Sequence, residues 1–203
     1  MNQWMQLASD QKIERTISSL KANGIDALVV ENGEEAKKKV LELLPDGAEV
    51  MSMTSVTLDT TGISKEIQDS ERFYSARKKL FSMDYKTQSA EMRRLGAAPE
   101  YAVGSVHAVT EDGKILVASA SGSQLPAYAY GAGRIIFVIG TQKVVKNLDE
   151  GIKRIYEYVL PLEDERAIKA YGVGSGVNKL LIINKEAMPG RITLIFVKEN
   201  IGF

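Results

Sequence analysis

The stretch GSVHAVTEDGKILVASASGSQLPAYAYGAGRIIFVIG, residues 104–140, strings together an acidic turn between apolar runs, a Ser/Gly-rich loop, a short helical segment and the most apolar strand of the chain. Asp112-Gly113 between β-branched and apolar residues is a hairpin signal, because glycine accepts the positive φ that a tight turn demands. Residues 101–110 and 114–118 are therefore expected to pair across Thr110-Glu111-Asp112-Gly113. Residues 126–130 read as a short helix. Residues 134–139, RIIFVI, form an apolar run with no alternation, the pattern of a strand covered on both faces.

Outward from this stretch the two periods alternate. Ile13, Ile17 and Leu20 recur at helical spacing with Gly24 as a stop, and residues 25–30 then read as a buried strand. Ala36, Val40, Leu41 and Leu44 mark a second helix that ends at Pro45-Asp46-Gly47, and residues 48–53 form a short strand. A weaker helix covers residues 63–70, and the charged segment 74–95 also reads as helical. Ile152, Ile155, Tyr156 and Val159 mark an amphipathic helix, and residues 180–184 and 192–198 give the last strands. Strands alternating with helices predict an α/β fold with helices on both faces of a mainly parallel sheet, which the hairpin makes mixed. The most buried strand segments are expected at 28–30, 135–139, 181–183 and 194–197.

With 203 residues, one domain spanning 1–203 is expected, its N-terminal helical segment 1–24 included. Lys plus Arg and Asp plus Glu both number 26, so the net charge is zero and no basic stripe marks a nucleic-acid binder. There is no cysteine, which excludes disulfides, thiolate metal sites, an intrinsic iron–sulfur cluster of the usual kind and a cysteine nucleophile. A single histidine excludes a histidine-rich metal centre within one chain, so no metal site is expected. No apolar run has the length of a membrane span, and MNQWMQLASDQK lacks the character of a secretion signal, so a cytoplasmic location is expected.

In open α/β sheets ligands gather beyond the carboxyl ends of parallel strands. After the strand at 48–53 come Thr54, Ser55 and Thr57 in a hydroxyl-rich loop that opens a helix, suited to an anion and equally to a helix cap. After the strand at 114–118 come Ser119, Ser121, Gly122 and Ser123, small residues that let backbone N–H groups approach a ligand. If the preceding strands are parallel, both loops emerge together and form one anion pocket. A third loop, Gly140-Thr141-Gln142-Lys143, carries a lysine that reads as surface charge. The Gly-rich segment 171–179 has neither the setting of a dinucleotide fingerprint nor a Walker pattern; Asn178 and Lys179 are its polar donors and candidate ligand contacts. His107 shares a strand face with Ser105 and Val109 and reads as structural. Glu111 is the candidate catalytic carboxylate, able to act as base or nucleophile. Five strand residues separate it from the Ser/Gly loop, roughly 16–20 Å at about 3.3 Å per residue, so it ranks below the hydroxyl loops while bordering the pocket.

Several phrases resemble one family. Residues 104–155, from GSVHAVTEDGKILVASASGSQLPAYAYG through GTQKVVKNLDEGIKRI, and the closing GVNKLLIINKEAMPGRITLIFVKENIGF are similar to the lactate-utilisation (LUD) domain, as are Thr54-Ser55-Val56-Thr57-Leu58 and the acidic turn at 110–113. The resemblance implies a three-layer α/β/α sandwich, similar to ribose-5-phosphate isomerase and the CoA transferases. It also implies a place beside operons oxidising L-lactate to pyruvate, where one partner carries iron–sulfur clusters. A chain without cysteine resembles the clusterless type, so electron transfer would need an iron–sulfur LUD partner protein. The Ser/Gly loop departs from the more acidic or Asn-containing version expected of the family.

Two functions follow as expectations. The first is a clusterless accessory or ligand-binding protein of L-lactate or organic-acid utilisation, holding a small anionic metabolite at the C-terminal edge of the sheet. The alternative is a small-molecule enzyme of the sugar-phosphate isomerase or CoA-transferase type. The residues leave open whether the chain is catalytic, and a homo-oligomer is compatible with either reading.

Overall fold

The computed structural model describes residues 2–203. After a 3-10 turn at Gln3–Met5 comes α1 (Asp10–Ala22), capped by Ser9, whose Oγ accepts from the Lys12 N–H at 3.3 Å. Gly24, at φ 77°, ends it in the left-handed conformation and turns the chain into β1 (Asp26–Val30). Then follow α2 (Gly33–Leu43), β2 (Glu49–Ser52), α3 (Val56–Thr60), α4 (Ile63–Asp69), the two-residue β3 (Tyr74–Ser75), α5 (Ala76–Ser82) and α6 (Tyr85–Ala97). The expected strand 101–110 is two strands, β4 (Tyr101–Gly104) and β5 (Ala108–Thr110), broken at residues 105–107. β6 (Ile115–Ser119) leads to a π-helical turn (Ala127–Gly131), β7 (Arg134–Gly140), a 3-10 turn (Thr141–Lys143) and β8 (Val144–Val145). One long helical arm follows: α7 (Leu148–Arg154), a π-helical turn (Ile155–Val159) and α8 (Leu160–Tyr171). β9 (Lys179–Ile183) and β10 (Ile192–Val197) complete the chain.

Six strands form a parallel sheet in the order β1-β10-β7-β4-β2-β3. The single mixed sheet expected from the sequence is two sheets. The hairpin β5–β6 belongs to a second sheet, β8-β5-β6-β9, in which β6 pairs antiparallel with both β5 and β9. The break after Gly104 lets the chain leave one sheet for the other. A Cβ at Gly104 would run into the phenol of Tyr128, reaching 2.9 Å from its Cζ, so only glycine lets that ring lie against β4.

One face of the six-stranded sheet packs on α2, α3 and α4 through Val40, Leu44, Leu58, Ile63 and Ile67. The other meets α1, the turn bearing Tyr128 and the inner face of the second sheet, through Phe137, Ile139, Leu194, Phe196, Ile115 and Val117. The outer face of the second sheet packs on the long helical arm through Ala108, Leu116, Val145 and Ile155. The fold class is therefore α/β with helical layers on either side of parallel strands, extended by the second sheet.

β7 and β10 lie inside the sheet, and 135–139 and 194–197 are buried as expected. The expectation for 28–30 and 181–183 fails: Val29 is 39 % exposed, and Leu181 and Ile182 are only half-buried. Both segments are edge strands, β1 of the first sheet and β9 of the second, so each has one open flank. Among the described residues no helix is long and apolar enough to cross a membrane.

Candidate functional site

The chain runs from β2 outward to β3, then returns to the other side of β2 as β4 and proceeds to β7. Strand order reverses between β2 and β4, and a crevice opens there beyond the carboxyl ends. A cavity of about 400 Å³ occupies it. Its walls come from the loop after β2, the 105–107 break after β4, the turn after β7, the loop after β6 and the helical arm with the Gly-rich segment behind it.

Lys143 forms the floor. The 3-10 turn after β7 is buried, and Lys143 is only 1 % exposed, a correction to its reading as surface charge. Gln142 fixes the turn by donating from Nε2 to the carbonyls of Ile201 and Gly202, at 3.0 and 3.3 Å. Lys143 Nζ donates to Thr57 Oγ1 at 3.0 Å and Ser105 Oγ at 3.1 Å. Those two hydroxyls bond to each other at 3.2 Å. Burial, aided by the nearby Arg154 charge, pushes the amine well below the usual lysine value.

His107 forms a wall instead of a strand interior. Its Nδ1 accepts from the Ala118 N–H at 3.0 Å, so the neutral ring carries its proton on Nε2. Burial, with Lys143 and Arg154 nearby, holds the imidazole down to about 3. Arg154 is fully buried beneath; its Nη1 donates to the His107 carbonyl at 2.6 Å, while Nε and Nη2 have no hydrogen-bond partner among the described residues. Burial lowers it to about 10. Immediately after Arg154 the helix widens into its π-helical turn. That wide turn accommodates Pro161, which has no N–H and whose ring crowds the preceding turn of a regular α-helix. Tyr128 stands on the other π-helical turn, pinned by Arg191, whose guanidinium donates to the carbonyls of Ala127, Tyr128 and Ala132. Burial raises the phenol's pKa, so it stays protonated.

The structure brings Thr54, Ser55, Thr57, Ser119, Ser121 and Ser123 to this one cavity. The two hydroxyl loops meet there although their strands lie in different sheets, so it is the packing of the sheets that joins them. Their roles differ. Ser55 caps the short α3 through the Leu58 N–H at 3.4 Å, whereas Thr57 turns inward to Lys143. Ser119 Oγ accepts from the Gly122 N–H at 2.9 Å, and Ser121 and Ser123 bond to each other at 3.1 Å. Gly122, Asn178 and Lys179 lie outside the lining. Gly122, at φ 84°, makes the turn, and the Lys179 stem covers it. Asn178 donates to the Ala120 carbonyl at 3.2 Å, bracing the loop from behind. The Gly-rich segment instead contributes Tyr171 and residues 173–177 to the wall.

Glu111 does not border the cavity. Thr110-Glu111-Asp112-Gly113 is the expected turn, with Gly113 at φ 82° and its N–H bonded to the Thr110 carbonyl at 2.9 Å. It docks on α1: Asn23 donates to the carbonyls of Asp112 and Gly113, and Glu111 pairs with Lys12 at 3.3 Å and Arg15 at 3.5 Å. The residues missed by sequence reasoning are thus Lys143, Ser105, His107, Tyr128 and Arg154. The one available signal was that the Thr-Gln-Lys turn follows the most apolar strand, at the edge where ligands gather.

Among the described residues no cluster of three or more histidine, cysteine, aspartate or glutamate side chains could hold a metal ion. The cavity's carboxylates are Asp59 and Glu163, and Glu163 is engaged by Arg166 through two 2.7 Å bonds. Chemically the floor is a buried amine on two hydroxyls, with a neutral imidazole and a phenol around it and a buried guanidinium behind.

No curated protein sequence matches the chain. A crystal structure of a DUF162 family protein from Deinococcus radiodurans is similar in fold, with a TM-score of 0.60 and 10 % identity over 95 % of this chain and 99 % of that one. The family model described as LUD domain matches residues 13–197, nearly the whole of the two-sheet structure and all of the cavity lining except Phe203, and the chain belongs to the LUD domain family.

Proposed function

We propose that the protein is a clusterless organic-acid-binding component of L-lactate or related organic-acid utilisation, taking a small carboxylate in the cavity at the carboxyl edge of the six-stranded sheet. Membership in the LUD domain family implies a role in lactate utilisation. The observation that carries the ligand class is the uncompensated basic floor. Arg154, at about 10, keeps its charge at neutral pH, and no carboxylate appears among the groups acting on it or on Lys143, whose amine burial drives toward the neutral form beside it. Buried basic groups without a partner destabilise the fold unless something anionic offsets them. A small carboxylate supplies that charge, and the hydroxyls of Thr57 and Ser105 with the Nε2–H of His107 supply the polar contacts that orient it. With no cysteine to hold a cluster, electrons for an oxidation would pass through an iron–sulfur partner protein.

The isomerase or CoA-transferase alternative loses the carboxylate expected for it, since Glu111 is ion-paired on α1 outside the cavity, and with Glu163 held by Arg166 it would have to use Asp59. Calorimetric titration of the intact protein with L-lactate, pyruvate, a sugar phosphate and acetyl-CoA tests the choice. Saturable binding of lactate or pyruvate, lost in Lys143→Met, is expected. Silence toward both acids with saturable binding of the phosphate or the CoA ester would replace this reading with the alternative.

A further inference from the structure

Among the described residues Lys143 is the only lysine that the fold fully buries. Its amine is held by two neutral hydroxyls and no carboxylate, at 3.0 and 3.1 Å, in a cavity large enough for a metabolite of a few carbon atoms. A lysine kept for charge is normally given an acid to pair with; one enclosed with hydroxyls and set beside a second basic group is arranged as a neutral amine, which is a nucleophile. Burial pushes it in that direction. Proton donors share its cavity: the linked hydroxyls of Ser105 and Thr57, the protonated phenol of Tyr128, and His107, which carries its proton on Nε2.

We propose that Lys143 Nζ forms an imine with the carbonyl carbon of a small 2-oxo acid held in this cavity, a step that rests on the organic-acid reading above. The nitrogen lone pair attacks the carbonyl carbon as the C=O π pair moves onto oxygen. The oxygen takes a proton from the surrounding donors while the nitrogen returns one through Ser105 and Thr57, giving the carbinolamine. A second proton transfer to that hydroxyl lets it leave as water as the C=N bond forms. The two protons originally on nitrogen depart in that one water molecule, so no oxidant, reductant or co-reactant is consumed. A 2-hydroxy acid has a hydroxyl at C2 in place of the ketone carbonyl and binds without this bond. The same floor therefore distinguishes the oxidised from the reduced member of a 2-oxo/2-hydroxy acid pair.

The test is reductive trapping on the intact wild-type protein. Pyruvate and sodium cyanoborohydride are added at pH 7, and the digest is mapped by mass spectrometry. The expected result is an N-carboxyethyl group on Lys143, exceeding that on any exposed lysine by about 10-fold or more, because at pH 7 an ordinary lysine is neutral in fewer than about one molecule in 10³. Replacing pyruvate with L-lactate should abolish it. No adduct, or adducts spread equally over exposed lysines, overturns the proposal. Calorimetry with pyruvate on the same sample separates the two readings. Binding without trapping removes the imine and keeps the organic-acid site, whereas no binding removes both.

Discussion

Replacing Lys143 with Met should stabilise the protein in a pH-dependent way. Met has similar length and no charge, and it fills irregular buried space well. Thr57 and Ser105 are not orphaned by the change, because their hydroxyls remain 3.2 Å apart. The two bonds donated by the amine are lost, at a cost of about 1–2 kcal/mol. Against this stands a proton-linkage penalty. Folding holds the Lys143 amine well below its usual value of 10.5, so in the pH range just under that value the unfolded chain carries a proton that the folded chain lacks. Wild-type stability therefore rises with pH there, by about 1.4 kcal/mol per unit, and the penalty vanishes above the unfolded value. For an amine that is neutral in the fold at pH 8.5, about two units under the unfolded value, that slope makes the penalty about 3 kcal/mol. Setting this against the lost hydrogen bonds leaves Lys143→Met more stable by about 1 kcal/mol, a rise of about 2–4 °C in Tm for a chain of this size. By pH 9.5 the advantage should have disappeared. Urea unfolding at both pH values, followed by circular dichroism and by the single tryptophan, Trp4, measures the difference. A Met variant less stable than wild type by the same amount at both pH values would show that Lys143 stays charged in the fold, and the nucleophile reading would go with it.

Other substitutions probe the surrounding walls. With His107 held down to about 3 by burial and its basic neighbours, the folded ring stays neutral while the unfolded one takes a proton below about 6.5. Wild-type stability should fall by up to about 1.4 kcal/mol per unit from pH 6.5 downward relative to His107→Gln, a difference that paired urea titrations at pH 6.5 and 5 will expose. Gly104→Ala drives a methyl group into the Tyr128 phenol and should cost about 1–3 kcal/mol; adding Tyr128→Phe should recover part of it in thermal melts, since ring contact at 2.9 Å remains. Glu111→Gln should leave pyruvate and lactate affinities unchanged and cost no more than about 1 kcal/mol, because it removes only partly exposed pairs with Lys12 and Arg15. A weakened affinity in calorimetry would return Glu111 to the site.

Elements with strong local signals were legible. The Asp112-Gly113 turn, the helix ending before Gly24 and the apolar run of β7 each follow from a few adjacent residues, and each lies where the pattern puts it. The errors came where the outcome depends on a distant neighbour. Residues 101–110 read as one strand because period and composition run through Gly104-Ser105 unbroken. What separates them is their pairing partners: β4 joins β2 and β7 in one sheet, while β5 joins β6 and β8 in the other. The sequence of β1 is apolar enough for an interior position, yet the order β1-β10-β7 leaves it at an edge, and strand order is a property of crossovers that no local window contains.

The site shows the same division in sharper form. Thr54, Ser55, Thr57 and the serines after β6 were legible because hydroxyl-rich loops after strands are themselves a local pattern. Lys143 was not, because nothing beside it in sequence says whether its amine meets water. The contacts that settle its position reach across 86 residues to Thr57 and 38 to Ser105, and the turn bearing it is fastened by Gln142 across 59 residues to Ile201. A lysine is usually solvated, so its ordinary reading is the surface. What should have weighed against it is position: the turn leaves the most apolar strand of a parallel sheet on the edge where the order of strands reverses. There the sheet's own packing encloses whatever side chain points inward, and a basic group enclosed without an acid is placed for chemistry or for a ligand's charge.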